Sequence, residues 1–387
     1  MPDGGDPFAC RLVGAIAEVA AAEWDACAGP DNPFLSHAFL GAIEDSGSVG
    51  GDTGWRPCHA LLDDAEGRLV AAAPLYLKAH SQGEYVFDHG WAQAYERAGG
   101  RYYPKLLAAV PFTPVPGPRL LLRRPGDEAA RAGLIAGLLR AGTRLGVSSL
   151  HVNFAAAGDI EALARAGFLI RTGHQYHWRN RGYRDFDDFL AALNSRKRKA
   201  LRRERRQVAE SGLSLRRLTG AEIEPRHWDA FFRCYIATGN RKWGSPYLTR
   251  AFFHLLGERL GERVLLVTAE HEGRIVAGAL NLIGNDALYG RNWGAIEEHP
   301  GLHFEACYYQ AIEFAIERGL ARVEAGAQGE HKIQRGYLPV ATKSAHWLAE
   351  PGFRGAVEDF LRRETAMVEA EAAALAYFSP YRQAGDA

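Results

Sequence analysis

Cysteine is scarce and scattered in this chain of 387 residues. The five cysteines are Cys10, Cys27, Cys58, Cys234 and Cys307, and no two of them form a Cys-x-x-Cys pair. An odd number of isolated cysteines predicts free thiols in a reducing compartment and makes a zinc site improbable. The charges also cancel, with 46 Lys and Arg against 46 Asp and Glu. The chain as a whole therefore carries no field that attracts a polyanion, and any basic site must be local.

Long hydrophobic runs are missing as well. The longest apolar stretches, such as residues 69–77, fall far short of the roughly 20 residues that a membrane span needs. Residues 1–6 lack the basic and apolar regions of a signal peptide. We therefore expect a cytoplasmic protein, and peripheral contact with a membrane surface stays open. The nucleophile elbow, Walker loop, dinucleotide fingerprint and His-Glu-x-x-His motifs are also absent, which excludes those four enzyme classes at the motif level.

The sequence does contain an internal duplication. The string Glu-Gly-Arg-Leu/Ile-Val-Ala occurs at 66–71 and again at 272–277. Each copy ends with a Gly-aromatic pair, at 167–168 and at 336–337, and a His-Trp pair begins nine positions after the aromatic residue in both copies. A length of 387 residues fits two domains of ordinary size. The repeat therefore predicts two copies of one domain, spanning residues 1–180 and 181–387.

The second copy has the clearer pattern of predicted elements. Two apolar runs separated by a polar, glycine-containing turn at 270–274 predict a β-hairpin. The elements predicted after it are a strand ending near Trp293, a helix over 302–318, a strand at 321–325, a loop at 326–336 and a strand at 344–348. The first copy is expected to keep this order, with a strand ending near Trp91 and then a proline-rich insertion. This alternation predicts a mixed α/β fold.

At this point the chain resembles a known family. The residues that carry the resemblance are Tyr102-Tyr-Pro-Lys-Leu, Val110-Pro-Phe-Thr-Pro, the helix start at 302–310, the loop at 326–332, and Arg335-Gly-Tyr. They are similar to the Gcn5-related N-acetyltransferase (GNAT) fold in tandem, and especially to the FemAB-like, peptidoglycan-biosynthesis-like N-acyltransferases, over roughly residues 30–375. The resemblance implies two GNAT-like domains and transfer of an acyl group to an amine. Aminoacyl-tRNA-dependent Fem-type peptidyltransferases and ceramide-forming lipid N-acyltransferases also look similar.

One departure concerns the acyl carrier. Acetyltransferases of this fold hold the coenzyme A pyrophosphate on a Gln/Arg-x-x-Gly-x-Gly/Ala turn at a helix start. Neither residues 299–304 nor residues 97–102 match that pattern. Ordinary acetyl-CoA binding is therefore in doubt, although an acyl-CoA or acyl carrier protein thioester remains the expected co-substrate.

The loop at 326–337 is the strongest candidate for catalysis. Its glycines let the backbone bend around a ligand, and they enclose Glu330, His331, Lys332, Arg335 and Tyr337. Acylation of an amine needs a base, donors for the oxyanion and an acid for the leaving group. We expect Glu330 as base, His331 to polarise or relay, Tyr337 as acid, and the two cations to hold anionic groups. The alternative is a polar surface loop.

Three further places contain candidate residues. Glu305, next to His303 at the start of the long helix, competes with Glu330 as base, or it merely favours the positive helix terminus. In the first copy the corresponding segment is expected to be Tyr102–Lys105, which has no carboxylate.

A second set of candidates for substrate binding flanks the two tryptophans at predicted strand ends: Arg291, Asn292, Asp88 and His89. The tryptophans themselves fit core packing better than ligand stacking.

A basic segment begins at Ser195. Eight cations lie between Arg196 and Arg206, among them Lys197 and Arg202, and strong helix formers predict a helix that stops before Gly212. Four interpretations compete: phosphate binding, a tRNA backbone, anionic lipid, and a solvated helix face. The resemblance favours phosphate recognition.

These observations predict an N-acyltransferase whose C-terminal copy carries catalysis by direct attack in a ternary complex. The expected acceptor is a small-molecule or lipid amine, and an acyl carrier protein is the expected macromolecular partner. A tRNA is less favoured because the net charge is zero. DNA, a metal and a tightly bound cofactor are not expected. A non-catalytic protein that binds a cell-wall or lipid precursor is the alternative from another class.

Overall fold

The computed structural model describes residues 8–242, 246–326 and 329–382. They form two compact units. The first contains the residues up to Gly173 together with Ala341–Val368, and the second contains His174–Val340 together with the residues from Glu369 onward. Among the described residues no helix combines the length and the apolar character needed to cross a membrane.

The first copy of the repeat folds into strands and helices that belong mainly to the first unit. The strands are β1 (Ala9–Val13), β2 (Trp55–Pro57), β3 (His59–Asp63), β4 (Leu69–Ala73), β5 (Leu75–Lys78), β6 (Lys105–Ala108), β7 (Leu121–Leu122), β8 (Ser149–Val152) and β9 (Leu169–Arg179). The helices are α1 (Ala21–Ala28), α2 (His37–Asp45), α3 (His89–Arg97), α4 (Glu128–Leu145) and α5 (Ala157–Arg165).

The second copy follows the same general order. Its helices are α6 (Phe186–Ala192), α7 (Ser195–Ala209), α8 (Pro225–Lys242), α9 (Arg250–Leu260), α10 (Leu302–Phe304), α11 (Gln310–Glu317) and α12 (Pro351–Tyr377). Its strands are β10 (Ser214–Thr219), β11 (Val264–His271), β12 (Arg274–Ile283), β13 (Ala287–Ala295), β14 (Arg322–Glu324) and β15 (Leu338–Leu348). A π-helical turn, Glu305–Tyr309, joins α10 to α11, and a 3-10 helix covers Glu330–Arg335.

The duplicated hairpin is confirmed in both copies. In the first, β3 pairs with β4 and β2 with β5, around a turn at Gly67. In the second, β11 pairs with β12 around Gly273. Both glycines have φ +75, the left-handed conformation that residues with a Cβ rarely adopt. The Gly in each Glu-Gly-Arg string is therefore what allows the tight turn.

The strand that closes each copy pairs in the other unit. In the first unit β5, β6, β8 and the end of β15 are neighbours, with Trp347 opposite Leu150. In the second unit the matching run is β12, β13, β14 and the end of β9, with Trp178 opposite Val323. Because β9 and β15 are exchanged in this way, the compact units differ from the continuous ranges 1–180 and 181–387. The assignment of one domain to each range stays a prediction.

Each unit has its own apolar core. In the first, Leu62 of β3, Leu106 of β6 and Leu150 of β8 are buried against Leu134 and Leu138 of α4. In the second, Trp178, Leu265 and Val323 of the sheet are buried with Phe189 of α6 and Ile312 of α11. Burial of side chains of this size stabilises by about 1.5–3 kcal/mol each, which fixes the strands that carry the candidate site.

Two predictions about the first copy are wrong. Trp91 lies in α3 rather than at a strand end, because Trp91 and Tyr95, four positions apart, share the inward face of that helix. Tyr102–Lys105 leads into β6 and does not correspond to the start of the long helix. The basic segment is the predicted helix, α7, whose first turn is capped by the Asn194 side chain.

Candidate functional site

The candidate site lies where two parallel strands of the second unit part. β13 and β14 share three residue pairs, from Ala287 opposite Arg322 to Tyr289 opposite Glu324. β13 then continues to Ala295 along β12, and the β14 ladder ends. Gly290 is the first residue beyond the last pair. The two strands are therefore paired up to Tyr289 and separate beyond it.

A bulge accompanies the parting. Leu280 of β12 pairs with Asn292, but Asn281 pairs with Gly290, so Arg291 is an extra residue in β13. A bulge of this kind bends its strand and redirects the neighbouring side chains. It therefore sets the direction in which Arg291 and Asn292, two predicted substrate-binding residues, leave the sheet.

A small cavity fills the angle between the strands, and we call it the wedge cavity. Its volume is about 100 Å³. Its lining residues are Ala279, Leu280, Asn281, Gly290, Arg291, Asn292, Trp293, His303, Cys307, Tyr308 and Ala325. Since one water occupies about 30 Å³ of liquid, the cavity holds a few heavy atoms, such as a carbonyl group and its immediate neighbours.

Tyr308 connects this cavity to the predicted catalytic loop. Its hydroxyl lies 3.1 Å from His331 Nε2. Burial raises the pKa of the Tyr308 phenol above its usual value, so the hydroxyl stays protonated. Tyr308 belongs to the π-helical turn, and such turns often occur at functional sites because they shift the side chains beyond them. The pair is suited to pass a proton between the loop and the cavity.

Glu305 lies in a different cavity. It is 5% exposed, and its oxygens accept hydrogen bonds from Arg205 Nη2 at 3.0 Å and from Gln310 Nε2 at 2.7 Å. Together with Arg202, Arg205 and Arg206 of α7 it lines a cavity of about 870 Å³. Its carboxylate is thus part of an ion pair next to the basic helix, and among the described residues it does not line the wedge cavity.

The two predicted cations of the loop bind protein groups. Lys332 Nζ donates to the carbonyl oxygens of Ala325 at 2.6 Å and Gly326 at 3.1 Å, and burial lowers the pKa of Lys332 to about 8. Arg335 donates to the Glu204 carboxylate at 3.0 Å, and its guanidinium lies 3.3 Å from the centroid of the Phe304 ring. Both side chains therefore brace the end of β14 and the loop, and their predicted role in holding anions stays a prediction.

The remaining loop candidates differ in exposure. Glu330 and His331 are exposed, whereas Tyr337 is fully buried. Within the described ranges the Tyr337 hydroxyl has no hydrogen-bond partner, and burial raises the pKa of that phenol well above its usual value. Ala327 and Gln328, which the predicted loop includes, lie outside the described residues. The catalytic assignments of Glu330 and Tyr337 stay predictions.

The candidates on α7 lie on its polar face. Arg196 and Arg202 are exposed and Lys197 is half-buried. Arg202 Nη2 also donates to Asp187 at 3.0 Å. His303, near the wedge cavity, packs its ring 5.3 Å from Trp293 and 5.5 Å from Tyr308. The structure thus brings His303, Arg291 and Asn292 together around one cavity and places Arg202 along another, whereas Arg196 and Lys197 line neither of these two cavities.

Asp88 is enclosed in the first unit. Its carboxylate accepts a hydrogen bond from the Tyr102 hydroxyl at 2.6 Å and another from Lys105 Nζ. Lys105 Nζ also donates to Glu84 at 2.9 Å. Burial alone would raise the pKa of Asp88, but the Lys105 ammonium holds it well below its usual range. Its neighbour His89 is exposed on α3. Asp88 is therefore held in a buried ion pair, and its predicted contact with an acceptor stays a prediction.

Three residues at the wedge cavity were not predicted from the sequence: Tyr308, Cys307 and Asn281. Tyr308 occurs at helical spacing among apolar residues, and that pattern predicts core packing. Asn281 is 1% exposed in the middle of an apolar strand, with its Nδ2 3.3 Å from the Leu265 carbonyl oxygen. A polar amide within an apolar strand is the signal that could have pointed here, because buried polar groups need a partner or a function.

With this geometry in hand, comparison with known proteins identifies the family. A profile of the FemAB-like family, described as peptidoglycan biosynthesis/recognition, matches residues 15–383. The chain belongs to the FemAB-like family. No curated protein matches the sequence.

Solved structures show the same fold at low identity. FemX is 12% identical with a TM-score of 0.55, over 88% of this chain and 98% of that one. The C-terminal domain of a putative lysylphosphatidylglycerol synthetase from Agrobacterium fabrum is 10% identical with a TM-score of 0.55, over 90% and 97%. L-PGS from Bacillus licheniformis is 11% identical with a TM-score of 0.52, over 87% and 97%. The predicted family and the α/β fold with two GNAT-like copies are confirmed.

Proposed function

We propose that this FemAB-like protein transfers an acyl or aminoacyl group from an activated ester or thioester to an amine. The observation that carries the proposal is the wedge cavity, where the parting of β13 and β14 leaves room for a carbonyl group beside the Tyr308–His331 pair. Membership of the family and the fold shared with FemX support the same reaction class.

The wedge supplies the binding side of the chemistry. Backbone groups of β13 beyond Tyr289 that point away from β12 face the gap, where no β14 residue pairs with them. N–H groups fixed in that position stabilise the oxyanion of a tetrahedral intermediate. The small volume admits the reacting carbonyl and excludes a long chain, which therefore lies outside the wedge.

The Tyr308–His331 pair supplies the proton transfers. The amine nitrogen forms a bond to the carbonyl carbon, and His331 takes the proton that the amine loses. The bond from that carbon to the carrier oxygen or sulfur then breaks, and Tyr308 donates its proton to the leaving group. His331 returns the proton to Tyr308 over their 3.1 Å contact. Tyr308 thus replaces Tyr337 as the proposed acid. His331 replaces Glu330 and Glu305 as the proposed base, and Glu305 is hydrogen-bonded to Arg205 instead.

The donor is an acyl group on a phosphate-bearing carrier. The cations of α7, with Arg202 and Arg206 at the larger cavity, provide a local basic surface on a chain of zero net charge. Coenzyme A, acyl carrier protein and tRNA all offer phosphates to such a surface. The sequence favours a thioester donor, and charged tRNA, the donor of the Fem-type peptidyltransferases that the chain resembles, is the second donor to be tested.

The donor test offers each carrier separately to the purified protein. Acetyl-CoA, long-chain acyl-CoA, acyl carrier protein thioesters and charged tRNA are compared by thermal shift, and products with a panel of amines are detected by mass spectrometry. Stabilisation by one carrier and a mass gain on an amine establish the reaction and its donor. Binding without any product, across all carriers and amines, would favour the non-catalytic binding protein.

Substitution at the pair tests the mechanism. We expect Tyr308→Phe and His331→Asn each to lower kcat by about 10²- to 10⁴-fold at unchanged donor binding, the range for loss of a general acid or base. Tyr377→Phe, at a tyrosine that is 79% exposed, is the matched control and should keep full activity. Full activity of the Tyr308→Phe and His331→Asn variants would contradict the proposed proton path.

A further inference from the structure

A cluster of three metal-ligating side chains lies in the second unit outside the wedge cavity. It consists of His271 at the end of β11, and of Glu297 and His299 in the connection between β13 and α10. All three are half-buried, and their ligand atoms lie within 4.8 Å of one another. Three potential ligands from two separate segments of the chain thus lie close together. Isolated side chains on a solvated surface have no reason to be gathered in this way.

The contacts within the cluster converge on a single atom. His271 Nδ1 lies 2.8 Å and His299 Nε2 lies 2.9 Å from the same carboxylate oxygen, Glu297 Oε2. The two imidazole rings pack with their centroids 5.0 Å apart.

The donor set matches a transition metal. Two imidazoles and one carboxylate are common protein ligands of Zn²⁺, with bonds of about 2.0–2.2 Å. Tetrahedral bonds of that length separate the ligand atoms by about 3.3 Å, so the two present contacts must lengthen by about 0.5 Å. Small rotations of half-buried side chains supply that change. The Arg274 guanidinium, 3.8 Å from the other Glu297 oxygen, is placed to orient the carboxylate from outside.

One side of the cluster faces open space. Glu297 and His299 line a cavity of about 590 Å³, together with Trp293 and His303, which also line the wedge cavity. A metal with three protein ligands keeps a fourth position for water or an anionic group, as catalytic zinc sites do. Here that position would point into a cavity large enough for a small ligand.

We propose that His271, Glu297 and His299 bind one divalent transition metal ion, with Zn²⁺ first, and leave one coordination position open to the adjoining cavity. The scarcity of cysteine, which argued against a zinc site, does not bear on a site built from imidazoles and a carboxylate. This site stands independently of the proposed acyl transfer, because none of its three ligands takes part in that proton path.

The test uses full-length, tag-free protein that has been stripped of metal by a chelator. Zn²⁺ is titrated by calorimetry, and Co²⁺ is added in parallel to record the visible absorption of a four-coordinate ion. We expect one equivalent of Zn²⁺ with a Kd of about 1 μM or below, together with a rise in Tm on binding. Binding of less than one equivalent, or only at millimolar concentration, would overturn the proposal.

The variants assign the ligands. Glu297→Gln keeps the shape and an acceptor oxygen, and His299→Ala removes one imidazole. Each should weaken Zn²⁺ binding by more than about 100-fold. Loss of a residue that only hydrogen-bonds to a metal ligand typically costs less than this. His254→Ala is the matched control, because His254 also contacts a carboxylate, Asp229, at 2.7 Å, and it should keep wild-type affinity. Unchanged affinity in a folded Glu297→Gln variant, with folding checked by thermal unfolding, would refute the assignment.

Discussion

Each unit contains a pair of parallel strands, β6 with β8 in the first and β13 with β14 in the second. The units differ in the course of the chain beyond these pairs. In the second unit β13 continues to Ala295 and leaves the wedge cavity open. In the first unit the chain after β6 turns away through a proline-rich segment, where Val110, Phe112 and Val115 are buried. Gly117 then forms a bridge with Ala155, just beyond β8. The chain that follows the parallel pair is thus buried in one copy and borders a cavity in the other, which is the asymmetry we expect if only the second copy carries the proposed chemistry.

A second contrast concerns buried charge. The first unit encloses Lys105 with Glu84 and Asp88, all within the protein interior. The second unit pairs Arg205 with Glu305 beside an open cavity, and the Arg205 side chain remains 26% exposed. We infer that charge in the first unit is structural and that charge in the second remains accessible to a ligand. Substitutions in each unit can separate these two roles.

The largest effect is expected from Lys105→Met. Removal of this ammonium leaves the buried Asp88 carboxylate without its cation and leaves Glu84 with the more distant Lys78 Nζ at 3.9 Å. Loss of one partner of a buried ion pair typically costs about 3–5 kcal/mol of unfolding free energy. Arg205→Met is the matched change in the second unit. Because Arg205 is partly solvated and Gln310 still donates to the buried Glu305 carboxylate, we expect a smaller loss than for Lys105→Met. Denaturant unfolding of both variants measures the difference. If both variants lost the same unfolding free energy, the proposed difference in burial between the two ion pairs would be wrong.

The same cluster predicts a pH dependence that resides in the first unit. Burial raises the pKa of Glu84 from 4.5 to about 7. The native state therefore binds a proton that the unfolded state has released, and this stabilisation is full below pH 4.5 and is lost as the pH rises through about 7. In Glu84→Gln this loss, about 3 kcal/mol, should disappear from unfolding curves measured between about pH 4 and 8. Glu298→Gln, at an exposed carboxylate, should keep the wild-type profile.

Substitution of two glycines of β13 should affect stability at one position and activity at the other. A Cβ at Gly294 would lie 2.3 Å from the carbonyl carbon of Cys234 in α8, and we expect Gly294→Ala to lose about 1–3 kcal/mol of stability. A Cβ at Gly290 would lie 3.4 Å from its nearest neighbour, the backbone carbonyl oxygen of Glu324, which is an ordinary contact distance. Gly290→Ala should therefore fold normally but narrow the wedge cavity and lower kcat/KM. An active Gly290→Ala enzyme would argue against the wedge as the acyl site.

The smallest effect is expected from Tyr337→Phe, which gives the second copy the residue found at the matching Phe168 of the first. The Tyr337 hydroxyl is buried without a partner in the described structure, so its removal should change stability by less than about 1 kcal/mol. Denaturant unfolding and steady-state kinetics check both parts. Retained kcat supports Tyr308 as the acid, and a loss of activity with intact folding would restore the role first predicted for Tyr337.

Local sequence was sufficient for elements that local residues determine. The hairpins at Gly67 and Gly273 and the helix after Asn194 depend on turn and cap chemistry within a few residues, and they were predicted correctly. Trp91 was misplaced because a tryptophan between short apolar runs fits a strand end as well as a helix face. The exchange of β9 and β15 depends on pairing between residues far apart in sequence, and no local pattern records it.

The candidate site shows the same limit. The sequence pointed to Arg291, Asn292, His303 and His331, and the structure gathers them near the wedge cavity. It did not reveal that Glu305 is paired with Arg205, because the partner lies 100 positions away. Tyr308 was missed because an aromatic side chain at helical spacing is typical of a core, and only its contact with His331 distinguishes it.

The exchange of closing strands also bears on synthesis at the ribosome. The first unit pairs β8 with residues 345–348, so its sheet cannot be completed until nearly the whole chain has been made. The second unit, in contrast, receives residues 177–179 before most of its own strands exist. The N-terminal unit must therefore wait with an unpaired strand edge at β8, whereas β14 of the second unit can pair with β9 as soon as residue 324 has been made. A chain truncated before β15 would leave that edge exposed to intermolecular pairing.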